Sequence, residues 1–330
     1  MEQVDVVALN AQIKQESRFV QRMIEEISKV IVGQRDMIEG ILMGLLTGGH
    51  VLLEGVPGLA KTLTISSVAK SISLDFRRVQ FTPDLLPSDL VGTMIFNQKT
   101  SEFTPKLGPI FTNIVLADEI NRAPAKVQSA LLECMEEKQV TIGDKTHPLP
   151  APFLVLATQN PLEQEGTYPL PEAQMDRFLF KIIVTYPEKK EEMEILNRMA
   201  KNEKPQIQSV ISREELLKAK ARIDDIYLEE KLKNFIVDIV LSTREPRRYG
   251  LASIENLLSV GCSPRATISL TRASKAHAFL RGRGYVTAED VKAIAYNVLR
   301  HRFIISYEAE AEEIKPDQSI KEILNHIEVV

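Results

Sequence analysis

Eight residues with the spacing of a phosphate-binding loop follow the first short apolar run of the chain. The pattern is G-x-x-x-x-G-K-[ST] with an alanine in place of its second glycine, and its residues are Gly55, Val56, Pro57, Gly58, Leu59, Ala60, Lys61 and Thr62. A glycine-bearing turn before a helix points backbone N–H groups inward and forms a concave anion site. We expect Lys61 to reach the β- and γ-phosphates of a nucleotide and Thr62 to ligate Mg²⁺, with Leu63 beside them.

Ala60 is the departure from this pattern. We expect it to lie in helical backbone with negative φ, which alanine tolerates, and Gly58 to supply any positive φ. By itself the stretch also fits an ordinary strand-to-helix turn that contains a glycine and a lysine. The phosphate interpretation therefore depends on the other motifs of the chain.

Two adjacent carboxylates, Asp118 and Glu119, end the apolar run Asn113–Ala117. Such a pair is costly to bury unless a cation or a polarised water uses it. The pattern predicts that Asp118 holds Mg²⁺, through water, and that Glu119 orients and deprotonates the attacking water. The alternative is a strand that runs out into solvent, which becomes the minority interpretation once a phosphate loop lies upstream.

Two further polar residues follow the same logic. Asn160 comes just after the apolar run Phe153–Thr158, where open α/β sheets bind ligands, although an asparagine before a proline is by itself a turn pattern. Arg177 carries the planar, always-charged group that suits a phosphoryl-transfer transition state. Its alternative role is a local salt bridge to Asp176 or Glu172.

Two other arginines are candidates for nucleotide contact. Arg265 follows Ser263 and Pro264, which form a helix start, and its charge has the wrong sign for that end of a helix unless an anion shares the site. The alternative is a solvent-facing arginine. Arg122, just after the paired carboxylates, is a further candidate, for nucleotide or intersubunit contact, whose partner the sequence does not identify.

The elements that must position these residues are short apolar runs typical of strands covered on both faces. They are Val51–Glu54, Arg77–Phe81, Asn113–Ala117, Phe153–Thr158 and Lys181–Tyr186. Residues 8–30 and Asp36–Leu46 look helical, and strand patterns stop after Pro187. We therefore predict a three-layer α/β domain over residues 1–187 and an all-helical domain over residues 188–330.

Helix starts and hairpins are also legible. Ser212 with Glu215, and Thr287 with Asp290, form capping-box patterns. The pattern predicts two β-hairpins and an acidic, solvated face before a last helix at 318–327. The hairpin strands are Gly92–Phe96 with Glu102–Pro105, and Gln139–Ile142 with Lys145–Pro148; the acidic residues are Glu308, Glu310, Glu312 and Glu313.

Composition excludes several other classes of protein. The 330 residues carry 41 basic and 45 acidic side chains, a net charge of −4, which weighs against a nucleic-acid partner. Cys134 and Cys262 lack the spacing of a disulfide framework or zinc site, and the five histidines show no ligand spacing. Neither a signal peptide nor a membrane-spanning run is present, so we expect a soluble, cytoplasmic protein.

The motifs GVPGLAKT, ADEINRAP, LATQNP, EAQMDRF and SPRA, in this order, resemble the MoxR family of AAA+ ATPases across about residues 10–310. The resemblance implies an AAA+ P-loop core followed by a helical lid, and alanine before the loop lysine is usual in that family. By resemblance Asp118 and Glu119 form the Walker B pair, Asn160 is sensor 1, and Arg265 is sensor 2. It also makes Arg177 the arginine finger that reaches the neighbouring subunit's γ-phosphate, and it places the adenine-side wall at Ile31, Val32, Gly33 and Gln34.

The resemblance further implies a hexameric ring that hydrolyses ATP with Mg²⁺ and remodels protein clients, commonly beside a protein with a von Willebrand factor A domain. The first hairpin is similar to the helix-2 insert shared with magnesium-chelatase subunits, and the second to a hairpin that faces the ring's pore. Whether Arg265 acts in its own subunit or its neighbour stays open. Two alternatives remain, a DNA-translocating motor and a nucleotide-dependent scaffold that does not hydrolyse ATP.

Overall fold

The computed structural model describes residues 5–99, 101–162, 166–199 and 205–329. The chain divides into two compact units. One comprises Met1–Val20, Phe178–Lys181 and Lys218–Val330, and the other comprises Gln21–Arg177 and Ile182–Leu217. The predicted boundary between an α/β domain and a helical domain, at residues 187 and 188, stays a prediction.

Eleven strands lie within the described residues, and five of them form the main sheet. The strands are β1 (His50–Glu54), β2 (Phe76–Gln80), β3 (Gly92–Asn97), β4 (Glu102–Leu107), β5 (Ile114–Asp118), β6 (Gln139–Ile142), β7 (Lys145–Pro148), β8 (Leu154–Gln159), β9 (Phe178–Ile183), β10 (Leu258–Val260) and β11 (Ile304–Ile305). The sheet order is β2-β5-β8-β1-β9, and the pairs β2/β5, β5/β8 and β8/β1 are parallel.

The sheet confirms the five strands expected from the apolar runs. Residues of β1, β5 and β8 are buried almost throughout, as required when helices cover both faces of a parallel sheet. The last strand begins at Phe178 rather than at Lys181, because Phe178, Leu179 and Phe180 are themselves buried core residues. The predicted α/β class is therefore confirmed.

Fifteen α-helices are described. They are α1 (Val6–Glu16), α2 (Arg18–Ser28), α3 (Arg35–Thr47), α4 (Lys61–Ser71), α5 (Pro87–Val91), α6 (Ala125–Glu137), α7 (Glu172–Met175), α8 (Lys189–Met199), α9 (Arg213–Arg222), α10 (Glu230–Ser242), α11 (Ala252–Glu255), α12 (Pro264–Leu280), α13 (Ala288–Leu299), α14 (Tyr307–Ala311) and α15 (Pro316–His326). Residues 8–30, expected to be helical, contain two helices, with the first ending at the C-cap Ser17. Helix α3 contains the predicted stretch Asp36–Leu46.

Both predicted hairpins are present in the unit that holds most of the main sheet. Strands β3 and β4 pair with Phe96 opposite Phe103, and β6 and β7 have the predicted bounds. The turn between β6 and β7 contains Gly143 with φ +62°, and an added Cβ there would lie 3.2 Å from the sulfur of Met94 on β3. Side chains of the first hairpin remain exposed at its tip, including Phe96 and Phe103.

The other unit is mainly helical, and besides the Phe178–Lys181 part of β9 it contains one further strand pair. Strands β10 and β11 form a short antiparallel pair that the sequence analysis did not predict. The predicted capping box at Thr287 and Asp290 is present, as is the N-cap at Ser263. The four clustered glutamates near α14 are exposed, and the last helix spans Pro316–His326 instead of 318–327.

None of the helices described is both long enough and apolar enough to span a bilayer. Cys134 and Cys262 are both free and buried. Burial raises the pKa of the Cys134 thiol to about 11. Since the thiolate is the reactive form, Cys134 is inert as a nucleophile at neutral pH.

Candidate functional site

The carboxyl ends of β1, β5 and β8 open into one cleft of about 410 Å³. Parallel neighbouring strands end at the same edge of a sheet, and such edges are where open α/β folds bind ligands. The cleft brings together most of the residues singled out from the sequence. Its lining consists of Pro57, Gly58, Leu59, Ala60, Lys61, Thr62, Leu63, Arg78, Asp118, Glu119, Thr158 and Asn160.

The loop between β1 and α4 forms one wall of this cleft. Gly55 lies where the backbone passes closely, since an added Cβ would be 2.7 Å from the carbonyl oxygen of Val184. Gly58 has φ +88°, as expected, and faces open space. The loop therefore needs glycine at Gly55 for proximity and at Gly58 for conformation.

The expectation for Ala60 is wrong: its φ is +54° and its ψ +20°, in the left-handed region. That conformation costs a residue with a Cβ about 1–2 kcal/mol. The chain adopts it where the loop turns into α4, with the Ala60 carbonyl accepting the N–H of Thr64 at 2.9 Å. Gln34 and Glu119 are also left-handed, and strain of this kind concentrates at functional sites.

Lys61 begins α4 and points back across the loop. Its Nζ donates to the carbonyl oxygen of Gly55 at 2.6 Å. Partial burial lowers the pKa of Lys61, while the nearby carboxylates of Asp118 and Glu119 oppose that shift. The ammonium group is therefore held at the cleft by a neutral acceptor that a more highly charged ligand can replace.

Asp118 ends β5 with both carboxylate oxygens bonded. Oδ1 accepts the Thr158 hydroxyl at 2.6 Å, and Oδ2 accepts Nε and Nη2 of Arg78 at 2.9 and 2.6 Å. The side chain of Asp118 is 15% exposed, against 50% for Arg78. Its hydroxyl partner is thus Thr158, and its charge partner is a half-exposed arginine side chain.

The donors of the cleft fit Mg²⁺ held jointly with a ligand. The side chains of Asp118 and Thr62 carry oxygen atoms of the kind that this hard cation prefers as ligands. Among the described residues, no three His, Cys, Asp or Glu side chains group closely enough to hold a metal ion. Two protein oxygens would fill only part of the coordination shell, as is usual where waters and substrate phosphates complete it.

Glu119 is held by a separate set of bonds. Its Oε2 accepts Nε2 of Gln80 at 2.7 Å and Nη1 of Arg122 at 3.0 Å, and its backbone N–H donates to the Thr158 hydroxyl at 2.8 Å. The partner of Arg122 that the sequence left unidentified is thus Glu119. The side chain of Glu119 is 22% exposed and borders the cleft.

Three residues of this network were missed in the sequence: Arg78, Gln80 and Thr158. Gln80 lies opposite Asp118 in the parallel register, and Arg78 is two positions earlier on the same face of β2. Polar residues alternating at the end of an otherwise predicted strand are the pattern that identifies them. Thr158 was assigned to the third strand without a role.

Asn160 lies at the cleft with only 7% of its surface exposed. Its Oδ1 accepts the N–H of Leu162 at 3.2 Å, which is a local turn bond of the kind weighed as the alternative. The residue therefore serves the turn and also borders the cleft.

Arg177 lies in a different cleft, of about 480 Å³, lined by Ser129, Leu132, Glu133, Glu136, Glu137 and Gln174. It forms an ion pair with Glu136 and donates Nη1 to the carbonyl oxygen of Leu132 at 3.2 Å. Within its own chain, Arg177 thus lies against α6 and is absent from the lining of the first cleft.

Two predicted contacts of the same unit, Gly33 and Gln34, are absent from the lining of the first cleft. Gln34 donates Nε2 to the carbonyl oxygen of Thr185 at 3.4 Å, and an added Cβ at Gly33 would be 2.4 Å from Oε1 of Glu191. Val32 precedes them. In the helical unit, Arg265 is exposed at the start of α12, with its N–H capped by the Ser263 hydroxyl at 3.2 Å.

Comparison with known proteins supports a common family for both parts of the chain. Residues 50–180 match the family model described as "ATPase family associated with various cellular activities (AAA)", and residues 252–323 match the AAA lid domain. Chaperone MoxR1 of Mycobacterium tuberculosis is 48% identical over 93% of this chain and 81% of its own length. Protein MoxR of Paracoccus denitrificans is 30% identical over 88% of this chain and 90% of its own length.

A solved structure agrees over nearly the whole chain. It is a protein of Cytophaga hutchinsonii provisionally described as an ATPase, 52% identical, with a TM-score of 0.91, and the match covers 98% of this chain and 97% of that one. The sheet with its phosphate-type loop and paired carboxylates, the helical lid and the sequence identities all agree. The chain belongs to the MoxR family of AAA+ ATPases.

Proposed function

We propose that this chain binds ATP together with Mg²⁺ in the 410 Å³ cleft, hydrolyses it, and uses the energy as a ring-forming, chaperone-like remodeller of protein partners. The observation that carries the proposal is the convergence of Lys61, Thr62, Asp118, Glu119 and Asn160 on that single cleft. Lys61 and Thr62 begin α4, Asp118 and Glu119 lie at the end of β5, and Asn160 follows β8, so the fold must assemble the set.

The loop and the start of α4 are proposed to bind the phosphates. Backbone N–H groups at the start of a helix favour negative charge, and Val56, Pro57, Gly58 and Leu59 shape the loop that presents them. The Lys61 ammonium would exchange its bond to the Gly55 carbonyl for the β- and γ-phosphates. Thr62 and Asp118 would hold Mg²⁺, which supplies neutralisation of the charge that develops on the phosphate oxygens.

Glu119 is proposed as the group that takes the proton of the attacking water. Its Oε2 accepts hydrogen bonds from Gln80 and Arg122, and its Oε1 is proposed to meet the attacking water. Asn160 is proposed to fix the position of that water between Asp118 and Glu119. These are positioning and proton-transfer roles of the kind that dominate phosphoryl-transfer enzymes.

Arg177 is proposed to act on the nucleotide of a neighbouring subunit. The side chain lies against Glu136 in another cleft of its own chain, which favours a role across a subunit interface. Turnover would then require assembly, for which we propose a hexameric ring. The stretch Val32, Gly33 and Gln34 is proposed as the adenine-side wall, and Arg265 as a nucleotide contact from the same or the adjacent subunit.

The partner class is inferred from the chaperone name of the MoxR1 relative. We propose protein clients, including a partner with a von Willebrand factor A domain, and a cytoplasmic site of action. A DNA-translocating motor is the less favoured function, because a net charge of −4 gives no excess of positive charge to hold a phosphate backbone.

The test is ATP hydrolysis with and without Mg²⁺ across a protein-concentration series, with oligomer mass measured at each point. Turnover per subunit is expected to rise as rings form. Full-sized rings without turnover would instead identify a nucleotide-dependent scaffold, and stimulation by single-stranded DNA would favour the DNA motor.

Mixing two inactive variants tests the shared site directly. Lys61→Ala subunits keep Arg177, and Arg177→Ala subunits keep Lys61, so neither variant alone is expected to turn over ATP. Mixed rings contain interfaces with both residues intact and should regain a share of the wild-type rate. Arg198→Ala serves as the control, because Arg198 pairs with Glu194 on α8, away from both clefts.

A further inference from the structure

Asp118, the proposed metal ligand, already holds a cation of its own chain. Arg78 places two guanidinium nitrogens on Oδ2 of Asp118, at 2.6 and 2.9 Å. We propose that Arg78 is an internal cation that neutralises Asp118 until a divalent metal ion takes its place, and that Gln80 is the residue that positions Arg78. This inference rests on the proposed function only in taking Asp118 as a metal ligand.

The geometry makes the two cations exclusive. Oδ1 of Asp118 is occupied by the Thr158 hydroxyl, so Oδ2 is the oxygen that can turn to a new partner. A guanidinium 2.6 Å from that oxygen and a divalent ion beside it would carry like charges within a few ångströms, which is strongly unfavourable in a partly buried cleft. Metal entry therefore requires Arg78 to move away.

The structure gives Arg78 room to move. Its side chain is 50% exposed, whereas that of Asp118 is 15% exposed. The cost of releasing Arg78 is that of breaking a partly exposed ion pair, which is small. Arg78, a long side chain on the edge strand β2, thus neutralises the Asp118 carboxylate in the ligand-free protein. It can be displaced by a metal ion that binds together with a ligand.

Gln80 fixes where the guanidinium lies. Its Oε1 accepts Nη2 of Arg78 at 2.8 Å, while its Nε2 donates to Oε2 of Glu119 at 2.7 Å. The amide is therefore held at both ends, and its oxygen faces Arg78. Removing the amide would leave Arg78 with the same charge but fewer bonds to orient it toward Asp118.

The probe is Mn²⁺ alone, followed by the loss of its free electron paramagnetic resonance signal on titration into nucleotide-free protein. Arg78→Met removes the charge and keeps the length, and it should tighten Mn²⁺ binding by about 1.5- to 5-fold, the range set by a partly exposed ion pair. Arg78→Lys keeps a cation and should remain closer to the wild type. Asp118→Asn should remove the effect in both backgrounds.

Arg77→Met is the matched control. Arg77 is the adjacent residue on β2 and is exposed, and its side chain projects to the opposite face of the strand. It should leave Mn²⁺ binding unchanged. Equal or weaker Mn²⁺ binding by Arg78→Met, with a melting temperature equal to the wild type, would overturn the proposal.

A double-mutant cycle tests the role of Gln80. Gln80→Leu should tighten Mn²⁺ binding by less than Arg78→Met, and the double variant should match Arg78→Met alone, because Gln80 acts through Arg78. Additive effects would overturn the positioning role. No nucleotide is present in this titration, so a protein that fails to bind ATP still gives a decisive Mn²⁺ result. ATP hydrolysis is measured in a separate experiment and does not enter this test.

Discussion

Two aspartates of this protein have the same kinds of partner and yet differ in what those partners allow. Asp118 at the end of β5 is bonded by Arg78 and the Thr158 hydroxyl. Asp290 in α13 of the helical unit is bonded by Arg283 and the Thr287 hydroxyl. The set of side chains therefore does not distinguish them.

The two aspartates differ in burial and in saturation, by which we mean how many of the carboxylate lone pairs accept a hydrogen bond from an internal donor. The side chain of Asp290 is fully buried, and Arg283 is only 26% exposed. Asp290 also bonds Nδ1 of His277 at 2.6 Å and the N–H of Thr287 at 2.8 Å. Burial by itself raises the pKa of Asp290, but the hydrogen bonds from His277, Arg283 and Thr287 outweigh it and hold the pKa below its usual range.

This difference in burial and in hydrogen bonding shows which carboxylate can exchange its partner for a ligand. Asp290 has every lone pair directed at an internal donor, so losing any of them leaves a buried charge unpaired. Asp118 opens to the cleft, and its charge partner is half exposed. A saturated carboxylate holds a fold together, whereas a carboxylate with one exposed partner can take a ligand.

The largest effect expected at the open site, the cleft that holds Asp118 and Glu119, is on ATP turnover. Glu119→Gln removes the proposed proton acceptor while its amide can still bond at the same position, so ATP hydrolysis should fall by about 10²- to 10⁴-fold. Nucleotide binding and the melting temperature should stay near the wild type. Steady-state hydrolysis and nucleotide titration measure the two.

Glu308→Gln provides the control, since Glu308 is an exposed residue of α14 and should leave both quantities unchanged. Hydrolysis at the wild-type rate by Glu119→Gln would show that another group takes the proton. Loss of nucleotide binding would show instead that Glu119 supports the shape of the cleft.

At the saturated site the largest expected effect is on stability. Asp290→Asn leaves the partly buried Arg283 without its charge partner, which should lower the free energy of unfolding by about 3–5 kcal/mol. Urea unfolding followed by circular dichroism measures this. The folded fraction should still bind and hydrolyse ATP, whereas Glu119→Gln at the cleft should keep binding and lose hydrolysis.

The pH dependence of the free energy of unfolding, compared between wild type and Asp290→Asn, can contradict this prediction. Because the pKa of Asp290 is lower in the folded protein than in the unfolded chain, its stabilisation is complete above the unfolded value of about 3.9 and is lost as the pH falls below it. The stability difference between wild type and Asp290→Asn should therefore shrink below about pH 4. A difference that stays constant with pH would show that the ionised carboxylate contributes nothing.

The sequence predicted the sheet and most of the cleft because both follow from local patterns. Apolar runs locate the strands within a few residues, and parallel strands bring Lys61, Asp118 and Asn160 to one edge without any knowledge of side-chain contacts. The predicted capping box at Thr287 and Asp290 was likewise local, since its bonds span three residues.

What the sequence did not predict depends on contacts between distant segments. Arg78 was placed on a predicted strand, but its bond to Asp118 follows from the register of β2 against β5. The alternative role of Arg177 was a salt bridge to Asp176 or Glu172, and within its own chain Arg177 instead pairs with Glu136 of α6. Backbone strain at Ala60 was also missed, because φ is set by how the loop meets α4 and not by residue type.

Ala60 offers the smallest and most specific test of the open site. Its left-handed backbone costs about 1–2 kcal/mol that glycine would not incur, while glycine loses about 0.5–1 kcal/mol of backbone entropy. Ala60→Gly should therefore stabilise the protein by roughly 1 kcal/mol or less. Ala69→Gly is the matched control within α4, where the same change should destabilise by about 1 kcal/mol or more. Urea unfolding of both variants decides the sign, and destabilisation at both positions would show that Ala60 is unstrained and that the open site stores no strain in its loop.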